Sequence, residues 1–238
     1  MNLSAKELGY QKLNDMVRHT DEDVTINECF GERFIACGAE NKTVTINGVP
    51  GNALGAYLNG ATVVVNGNVQ DAVGDTMNEG TIIVNGDAGD ALGYAMRGGK
   101  IFVKGNSGYR TGIHMKQYKE KCPMIVLGGC AGSFLGEYLA GGIIVVLGLD
   151  SDEIPVGNFV GTGMHGGEMW IRSDEMPSDL PKQVVAEKAD KKDLEKIKPL
   201  LEQFSEYFGV SLDKITDKTF YKLTPNAKNP YKQLYTQN

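Results

Sequence analysis

Three kinds of residue in this sequence could do chemistry: a glycine-rich pattern, a few nucleophiles and three histidines. GTGMHG at residues 161–166 matches G-x-G-x-x-G, in which backbone amides at the start of a helix bind a dinucleotide pyrophosphate. That chemistry requires a strand before the glycines and a helix after them. The residues that follow, EMWIR at 168–172, are typical of a strand instead. We therefore do not predict a nucleotide site here.

The nucleophiles and histidines also lack the arrangements that catalysis or metal binding requires. Neither Ser107 nor Ser133 lies in a G-x-S-x-G pattern, and the cysteines have no obvious histidine partner. His114 and His165 each adjoin a methionine and could face the same side, but no carboxylate or thiolate recurs at a matching position. We expect no catalytic, cofactor-binding or metal-binding residue in this chain.

The densest polar cluster mixes aromatic, basic and acidic side chains: Tyr109, Arg110, His114, Lys116, Asp71, Asp90 and Arg97. Two interpretations stay open. The cluster could be a ladder of ion pairs between neighbouring repeats, or it could be a docking patch or anion site. We keep Arg110 and His114 as candidate interface residues and assign no reaction to them.

A regular internal repeat must position these side chains. TVTINGVPGNALGAYL, TVVVNGNVQDAVGDTM, TIIVNGDAGDALGYAM and KIFVKGNSGYRTGIHM begin at equal intervals, at positions 43, 62, 81 and 100. MIVLGGCAGSFLGEYL begins at 124, after an insertion within QYKEKCP. A further unit begins at Ile143 and loses the repeat register through DSDEIPVGNF. At the start of the chain, VTINECFGERFI aligns with VTINGVPGNALG at an offset of 20 residues and adds one more unit. We count seven units.

Glycine marks the corners of these units, where the chain must turn or neighbouring units approach closely. The asparagines at the ends of the first strands place Asn27, Asn47, Asn66 and Asn85 in one column, which predicts a ladder of side-chain amides. The structural glycines are Gly48, Gly51, Gly55, Gly67, Gly74, Gly86, Gly89, Gly93, Gly105, Gly108, Gly112, Gly129, Gly132 and Gly136.

Each unit opens with four β-branched, alternating residues, which predict a short strand. Stacking in register then gives four core columns. Val44 belongs to the first column and Ile46 to the second. Phe34 and Leu54 belong to the third, and Leu58 and Met77 belong to the fourth. Three glycines in each unit disfavour a helix. The sequence therefore predicts an all-β fold, a parallel β-helix of about seven coils with short flanking helices.

The flanks define three regions. Residues 1–22 favour a helix that caps the first coil, with Ser4 as its N-cap, and residues 23–172 form the repeat. Residues 173–238 are predicted to be helical and extended, with an apolar helical stripe over 190–208 that Pro199 interrupts. The tail FYKLTPNAKNPYKQLYTQN has neither the periodicity of a strand nor that of a helix. We expect it to lie along another surface of this chain or of a partner chain, or to be partly disordered.

One outward-facing column becomes apolar along the repeat. We predict that it is covered from about Val64 onward, either by the C-terminal segment or by a partner subunit, because an exposed apolar stripe lowers solubility. Ile83 and Phe102 are therefore candidate interface residues. The column runs Thr25, Thr45, Val64, Ile83, Phe102, Val126 and Val145.

Composition excludes several classes of function. A net charge of −6 argues against nucleic acid as a partner, since such proteins carry a basic face. The sequence has no signal-peptide pattern and no apolar run long enough for a transmembrane helix, so we expect neither secretion nor membrane spanning. Four scattered cysteines are typical of a reduced, cytoplasmic chain.

The recurring G-x-x-G-x-x-x-G units, with GDAGDALGYAMRGGKIFVKGNSGYRTGIHMK and the closing GNFVGTGMHGG, resemble the GXGXG domain. That domain ends the large subunit of glutamate synthase and recurs in one subunit of formylmethanofuran dehydrogenase. The resemblance covers about residues 24–172, and AKELGYQKLNDMV is similar to the segment that precedes the domain in glutamate synthase relatives. It implies a right-handed β-helix with a structural role, without the cysteine nucleophile or the flavin site.

The resemblance implies a non-catalytic scaffold subunit of a glutamate synthase-like complex, encoded separately as in the archaeal type. Its partners would be a glutaminase-type amidotransferase subunit and a synthase subunit that carries FMN and iron–sulfur clusters; a homo-oligomer stays open. The alternative is the β-helix subunit of a formylmethanofuran dehydrogenase-like one-carbon enzyme. An acyltransferase on a left-handed β-helix is disfavoured, because that fold has a hexapeptide repeat.

Overall fold

A computed structural model describes residues 1–226, and within them eleven strands form one sheet that is mostly parallel and not closed. The strands β1 to β9 follow one another in chain order across the sheet, and β11 and then β10 complete it. The elements are β1 Asn2–Ser4, α1 Ala5–His19, β2 Val24–Phe30, β3 Thr43–Val49, β4 Asn59–Asn66, β5 Glu79–Val84, β6 Lys100–Val103, β7 Met124–Leu127, β8 Ala140–Val146, β9 Gly166–Ser173, β10 Val184–Lys188, α2 Lys191–Phe208, α3 Leu212–Ile215 and β11 Thr219–Pro225.

The strand register follows the repeat. Val44, Val63, Ile82 and Ile101 pair in parallel, one after another, at the predicted spacing. Ile101 then pairs with Ile125 across the insertion. The repeat strands β2 to β8 and their order were therefore predicted correctly.

Consecutive units also touch away from the sheet. Parallel bridges join Val69, Ala88, Ser107, Ala131 and Val156 in succession. A second line of contact is made by the glycines, whose amides donate to the preceding unit, as from Gly74 to the Leu54 carbonyl at 2.9 Å and from Gly93 to the Val73 carbonyl at 2.8 Å. Each unit is thus hydrogen-bonded to its neighbour both within the sheet and away from it.

The side chains between these contacts form one continuous core. Burying each such aliphatic side chain contributes about 1.5–3 kcal/mol relative to exposure, which no single unit could collect alone. The predicted fourth column is entirely buried and consists of Leu58, Met77, Met96, Met115, Leu139 and Met164.

The third column differs from the prediction in the first unit. Ile35 is buried and continues the column to Leu54, whereas Phe34 is 47% exposed. The cause is a bulge in β2: Val24 pairs with Val44, and the register then shifts by one before Cys29 pairs with Gly48. Glu28, with φ of 54°, occupies this irregular step. The uniform offset of the first unit was therefore wrong beyond the strand.

The last unit also differs from the prediction. It was expected to lose the repeat register, but the register is lost only in one loop and then resumes. After β8 the chain makes a loop, and then Val156 bridges Ala131 while the Gly161 amide donates to the Leu135 carbonyl at 2.8 Å. Met164 returns to the core. Extra residues in one loop lengthen the unit without displacing its later columns.

The structural glycines lie where a side chain has no room. At each of the fourteen, an added Cβ would come within 2.1–2.8 Å of a neighbouring atom, a distance that real Cβ atoms do not adopt. At Gly67 the obstacle is the Gly48 carbonyl oxygen of the preceding unit, 2.3 Å away, and at Gly108 it is Oδ1 of Asp90, 2.1 Å away.

Backbone conformation alone does not explain the second glycine of each unit. Ala91, Gly93 and Ala95 all have positive φ, of 55°, 68° and 50°, yet only the middle one is glycine. Its Cβ would lie 2.5 Å from Cδ1 of Ile125, a core side chain two units further along. Space, more than φ, requires the glycine here.

The predicted amide ladder is present. Asn47 donates to Asn27 at 2.7 Å, Asn66 to Asn47 at 2.8 Å, and Asn85 to Asn66 at 3.2 Å, each through Nδ2 to Oδ1.

The apolar outer column is covered by the chain's own C-terminal segment. Phe102, Val126 and Trp170 pack against Ile197 and Phe204 of α2. Ile83 is buried, whereas Val64 is only half-buried, so the cover begins one unit later than predicted. Ile83 and Phe102 therefore do not offer an exposed surface to a partner.

The predicted N-cap of α1 is confirmed, and α2 has a capping box that the sequence analysis does not predict. Ser4 accepts the Glu7 amide at the start of α1, and Asp190 and Asp193 form a capping box at the start of α2, which contains Pro199. In the described part of the chain no helix is long and apolar enough to cross a membrane.

The first part of the tail lies along the chain itself, which is one of the predicted alternatives. Thr219–Pro225 forms β11, antiparallel to both β9 and β10. Only Phe220 and Leu223 of this strand are buried, so it lacks the alternation that a strand with one buried face shows. Residues 227–238 lie outside the described residues.

Candidate docking surface

Two columns of residues with a left-handed backbone conformation, that is a positive φ, form one side of the stack. They flank the second glycine of each unit, such as Gly93. The first column holds alanine in three consecutive units and then Arg110, Phe134 and Phe159. The second holds Tyr57, Thr76, Ala95, His114, Tyr138 and Gly163. Because both columns repeat with the units, their large side chains come together in the later units.

These side chains form two ladders. In the first, the Phe134 and Phe159 rings stack with centroids 4.9 Å apart, and Cζ of Arg110 lies 4.9 Å from the Phe134 centroid. Arg110 is held from the other side by Glu137, whose Oε2 lies 3.1 Å from its Nε. This arrangement adds a cation–π contact to a salt bridge.

In the second ladder, the His114 imidazole stacks on the Tyr138 ring with centroids 5.1 Å apart and planes within 6°. The Tyr94 ring meets His114 edge-on at 6.0 Å. Tyr138 also covers Gly163, since an added Cβ there would lie 2.4 Å from its ring. We call Tyr94, Arg110, His114, Phe134, Tyr138 and Phe159 together the corner surface.

The corner surface has the composition of a protein interface. Phe159 is 56% exposed and Tyr138 is 38% exposed. Alanine occupies the same left-handed position in three earlier units, so the stack itself does not require aromatic rings there. Aromatic residues and arginine dominate the binding energy of protein interfaces. The two predicted interface residues Arg110 and His114 are both part of this surface.

The other members of the predicted polar cluster are placed differently. Asp71 accepts the Asp90 amide at 2.9 Å, and Asp90 accepts the Tyr109 amide at 2.8 Å, so both carboxylates bind backbone of the next unit. Neither carboxylate forms an ion pair with another side chain in residues 1–226, so the ion-pair interpretation does not apply to these two residues there. Arg97 and Lys116 instead line a cleft beside His114.

Two of the thiols, Cys29 and Cys122, have the environment of structural cysteines. Burial, followed by a hydrogen bond with Glu32, raises the pKa of Cys29 to about 12. Burial also raises the pKa of Cys122. A raised pKa lowers the thiolate fraction at neutral pH and with it the nucleophilicity.

The remaining chemical patterns adopt ordinary backbone roles. EMWIR forms a strand, as the sequence predicted, and this strand β9 begins two residues earlier, at Gly166, the last glycine of GTGMHG. The His165 ring contacts the Gly163 carbonyl, with Nδ1 at 3.0 Å. Within residues 1–226 no group of three histidine, cysteine, aspartate or glutamate side chains is arranged to hold a metal ion.

The comparison with protein families agrees with this repeat. The family model described as GXGXG motif matches residues 11–227. The chain belongs to the GXGXG family. The Methanocaldococcus jannaschii protein MJ1350, named as uncharacterized, is 41% identical over 249 residues, which cover 98% of the GXGXG chain and 95% of that relative.

A solved structure shares the fold. It is a chain of the formyltransferase/hydrolase complex FhcABCD from Methylorubrum extorquens, crystallised with methylofuran. The two chains superpose with a TM-score of 0.64 at 22% identity. The match covers 87% of the chain described here and 79% of the chain from the complex. That neighbour is part of a multi-subunit complex.

Sequence reasoning missed four of the six residues of the corner surface. Tyr94, Phe134, Tyr138 and Phe159 were not singled out, although Phe134 and Tyr138 occupy the repeat positions of Arg110 and His114. The signal was the change from alanine to aromatic residues along a column.

Proposed function

We propose that this chain is a non-catalytic scaffold subunit of a multi-subunit oxidoreductase complex. The observation that carries the proposal is the corner surface, in which exposed aromatic rings are fixed in two ladders on a rigid stack. Such rings bind a partner at a low cost in conformational entropy, because the stack already holds them. The raised thiol pKa values support a structural role for Cys29 and Cys122.

The complex we favour is glutamate synthase-like and serves glutamate biosynthesis. In it the partners are a glutaminase-type amidotransferase subunit and a synthase subunit, and the latter carries FMN and iron–sulfur clusters. This choice is based on the resemblance of the N-terminal segment and of the repeat to glutamate synthase relatives. We place the complex in the cytoplasm.

The alternative is a subunit of a formylmethanofuran dehydrogenase-like one-carbon complex. One specific observation favours it: a solved structure that shares this fold is a chain of a formyltransferase/hydrolase complex. The two proposals predict different partners and the same scaffold role.

We further infer that the stacked units wind as a right-handed β-helix of about seven coils over residues 23–172. The parallel register and the bridges away from the sheet support this interpretation. Residues 1–22 then act as the N-terminal cap, and the described part of the C-terminal region, residues 173–226, acts as a covering segment.

Co-purification tests the proposal. The tagged full-length chain is expressed in its native host, captured, and its partners are identified by mass spectrometry. A glutaminase chain together with an FMN and iron–sulfur chain supports the first complex, and pterin-cofactor subunits transfer the assignment to the second. Flavin binding or glutamine hydrolysis by the isolated chain would overturn the scaffold role.

A further inference from the structure

A cleft of about 250 Å³ lies beside the corner surface and is lined by basic and polar side chains. Its described lining contains no acidic residue, although the whole chain has a net charge of −6. The lining consists of Ala95, Arg97, His114, Lys116, Gln117 and Tyr118.

The inserted residues build one wall of this cleft. They fold into a tight turn in which Tyr118 and Lys121 exchange backbone hydrogen bonds of 3.1 and 3.0 Å. Lys121 fixes the turn to an earlier unit through Glu79, with Nζ and Oε2 2.7 Å apart. Insertions in a repeat array lie in loops that are often on the binding face. The insertion that breaks the regular spacing of the repeat therefore creates the cleft.

The cations of the cleft are not neutralised within the described residues. Neighbouring Lys121 and Arg110 have acidic partners, Glu79 and Glu137. Arg97 and Lys116 are exposed, and neither forms an ion pair with any side chain in residues 1–226. Two uncompensated cations at one point of an acidic protein attract a negatively charged group.

We propose that the cleft receives an acidic segment of a partner chain, whose carboxylates bind Arg97 and Lys116. Small-molecule pockets usually begin at about 300 Å³, so this smaller cleft suits one or two side chains of a docked segment better than a free metabolite. Charge-assisted hydrogen bonds to Arg97 and Lys116 supply the attraction. His114 belongs both to the cleft and to the corner surface, so one partner can cover both. This inference rests on the proposed function.

The test uses the isolated full-length chain and a fluorescein-labelled hexa-aspartate peptide as the probe, with fluorescence anisotropy as the readout. We expect saturable binding that weakens as salt is raised, because the attraction is electrostatic. The double substitution Arg97→Glu and Lys116→Glu weakens binding by about tenfold or more. The control Lys6→Glu and Lys12→Glu changes the net charge equally on exposed positions of α1 and leaves affinity within about twofold.

Three results would overturn the inference. One is an equal loss of affinity in both double variants, which would mean that only net charge matters. Another is inorganic phosphate displacing the peptide at similar concentrations, which would make this a site for free small anions. The third is unchanged affinity in Arg97→Gln with Lys116→Gln, a milder pair whose folding is checked by circular dichroism.

The co-purification experiment separates this inference from the scaffold role. If the Arg97→Glu and Lys116→Glu chain captures its partners as well as the wild type, the acidic-segment inference fails while the scaffold role stands. If the wild-type chain captures no partner, the scaffold role fails, whatever the peptide result.

Discussion

Gly93 and Ile125 meet across the core, although they belong to units two apart. A Cβ atom at Gly93 would lie 2.5 Å from Cδ1 of Ile125, and the same relationship joins Gly74 to Ile101 at 2.5 Å. The regular spacing of the second glycines along this chain thus reflects a packing contact that recurs from unit to unit. The isoleucine side chains of one column fill the space that any larger residue would need in the glycine column.

Gly93→Ala should destabilise the protein by about 1–3 kcal/mol, because the new methyl group overpacks the core against Ile125. Ile125→Val removes the obstructing Cδ1 and alone costs about 0.5–1.5 kcal/mol. The double variant should lose less than the sum of the two. Urea unfolding of all four proteins measures the coupling, and strict additivity would show that the contact does not limit this position.

Ala95→Gly is the matched control for backbone conformation. Ala95 has the same left-handed φ as Gly93, so the change to glycine relieves strain and should alter the free energy of unfolding by no more than about 1 kcal/mol. A large gain of stability in Ala95→Gly would mean that φ and not space decides where glycine occurs.

Phe204→Ala should detach α2 from the outer face of the sheet. Phe204 is fully buried and packs over Gly128, so its truncation costs about 3–5 kcal/mol. Trp170, the single tryptophan, is buried in the same cluster, and its fluorescence should shift to longer wavelength. Glu202→Ala on the exposed side of α2 should leave both stability and spectrum nearly unchanged.

The start of α2 should make stability depend on acid pH. The hydrogen bond from Lys222, followed by the one from the Asp190 amide, lowers the pKa of Asp193 below its usual 3.8. A lowered folded-state pKa contributes stability above about pH 4 that is lost as the pH falls through the folded value. The wild type should therefore exceed Asp193→Asn in urea resistance at pH 6 and approach it near pH 2.

The control for this prediction is Glu202→Gln, which removes another carboxylate from the same helix. Its difference from the wild type should stay small between pH 6 and pH 2. If the Asp193→Asn difference also stays constant across that range, the Lys222 contact does not depend on the charge of Asp193.

The repeat made much of this fold predictable. Strand positions, the methionine column and the asparagine ladder all follow from a fixed spacing, since in-register stacking places identical side chains on one another. The bulge at Glu28 was not predictable, because one extra residue leaves the hydrophobic pattern of β2 intact. Strand β11 was missed because its place is set by pairing with β9, not by its own alternation.

The corner surface could be predicted only in part. Arg110 and His114 stood out as charged or titratable residues, whereas their aromatic neighbours resemble ordinary core residues in a sequence. The structure adds that the Phe134 and Phe159 rings stack on each other and that the Tyr138 ring stacks on His114, contacts that the sequence does not show.

The central claim is that the corner surface binds the partner subunits, and Tyr138 tests it most directly. Tyr57 is the matched control, because it is an exposed tyrosine of the same left-handed column at the other end of the stack. Tagged wild-type, Tyr138→Ala and Tyr57→Ala chains are compared by co-purification from the native host. We predict that Tyr138→Ala loses most of the partner while Tyr57→Ala retains it, at equal thermal stability. Equal recovery of partners by the two variants would contradict the account.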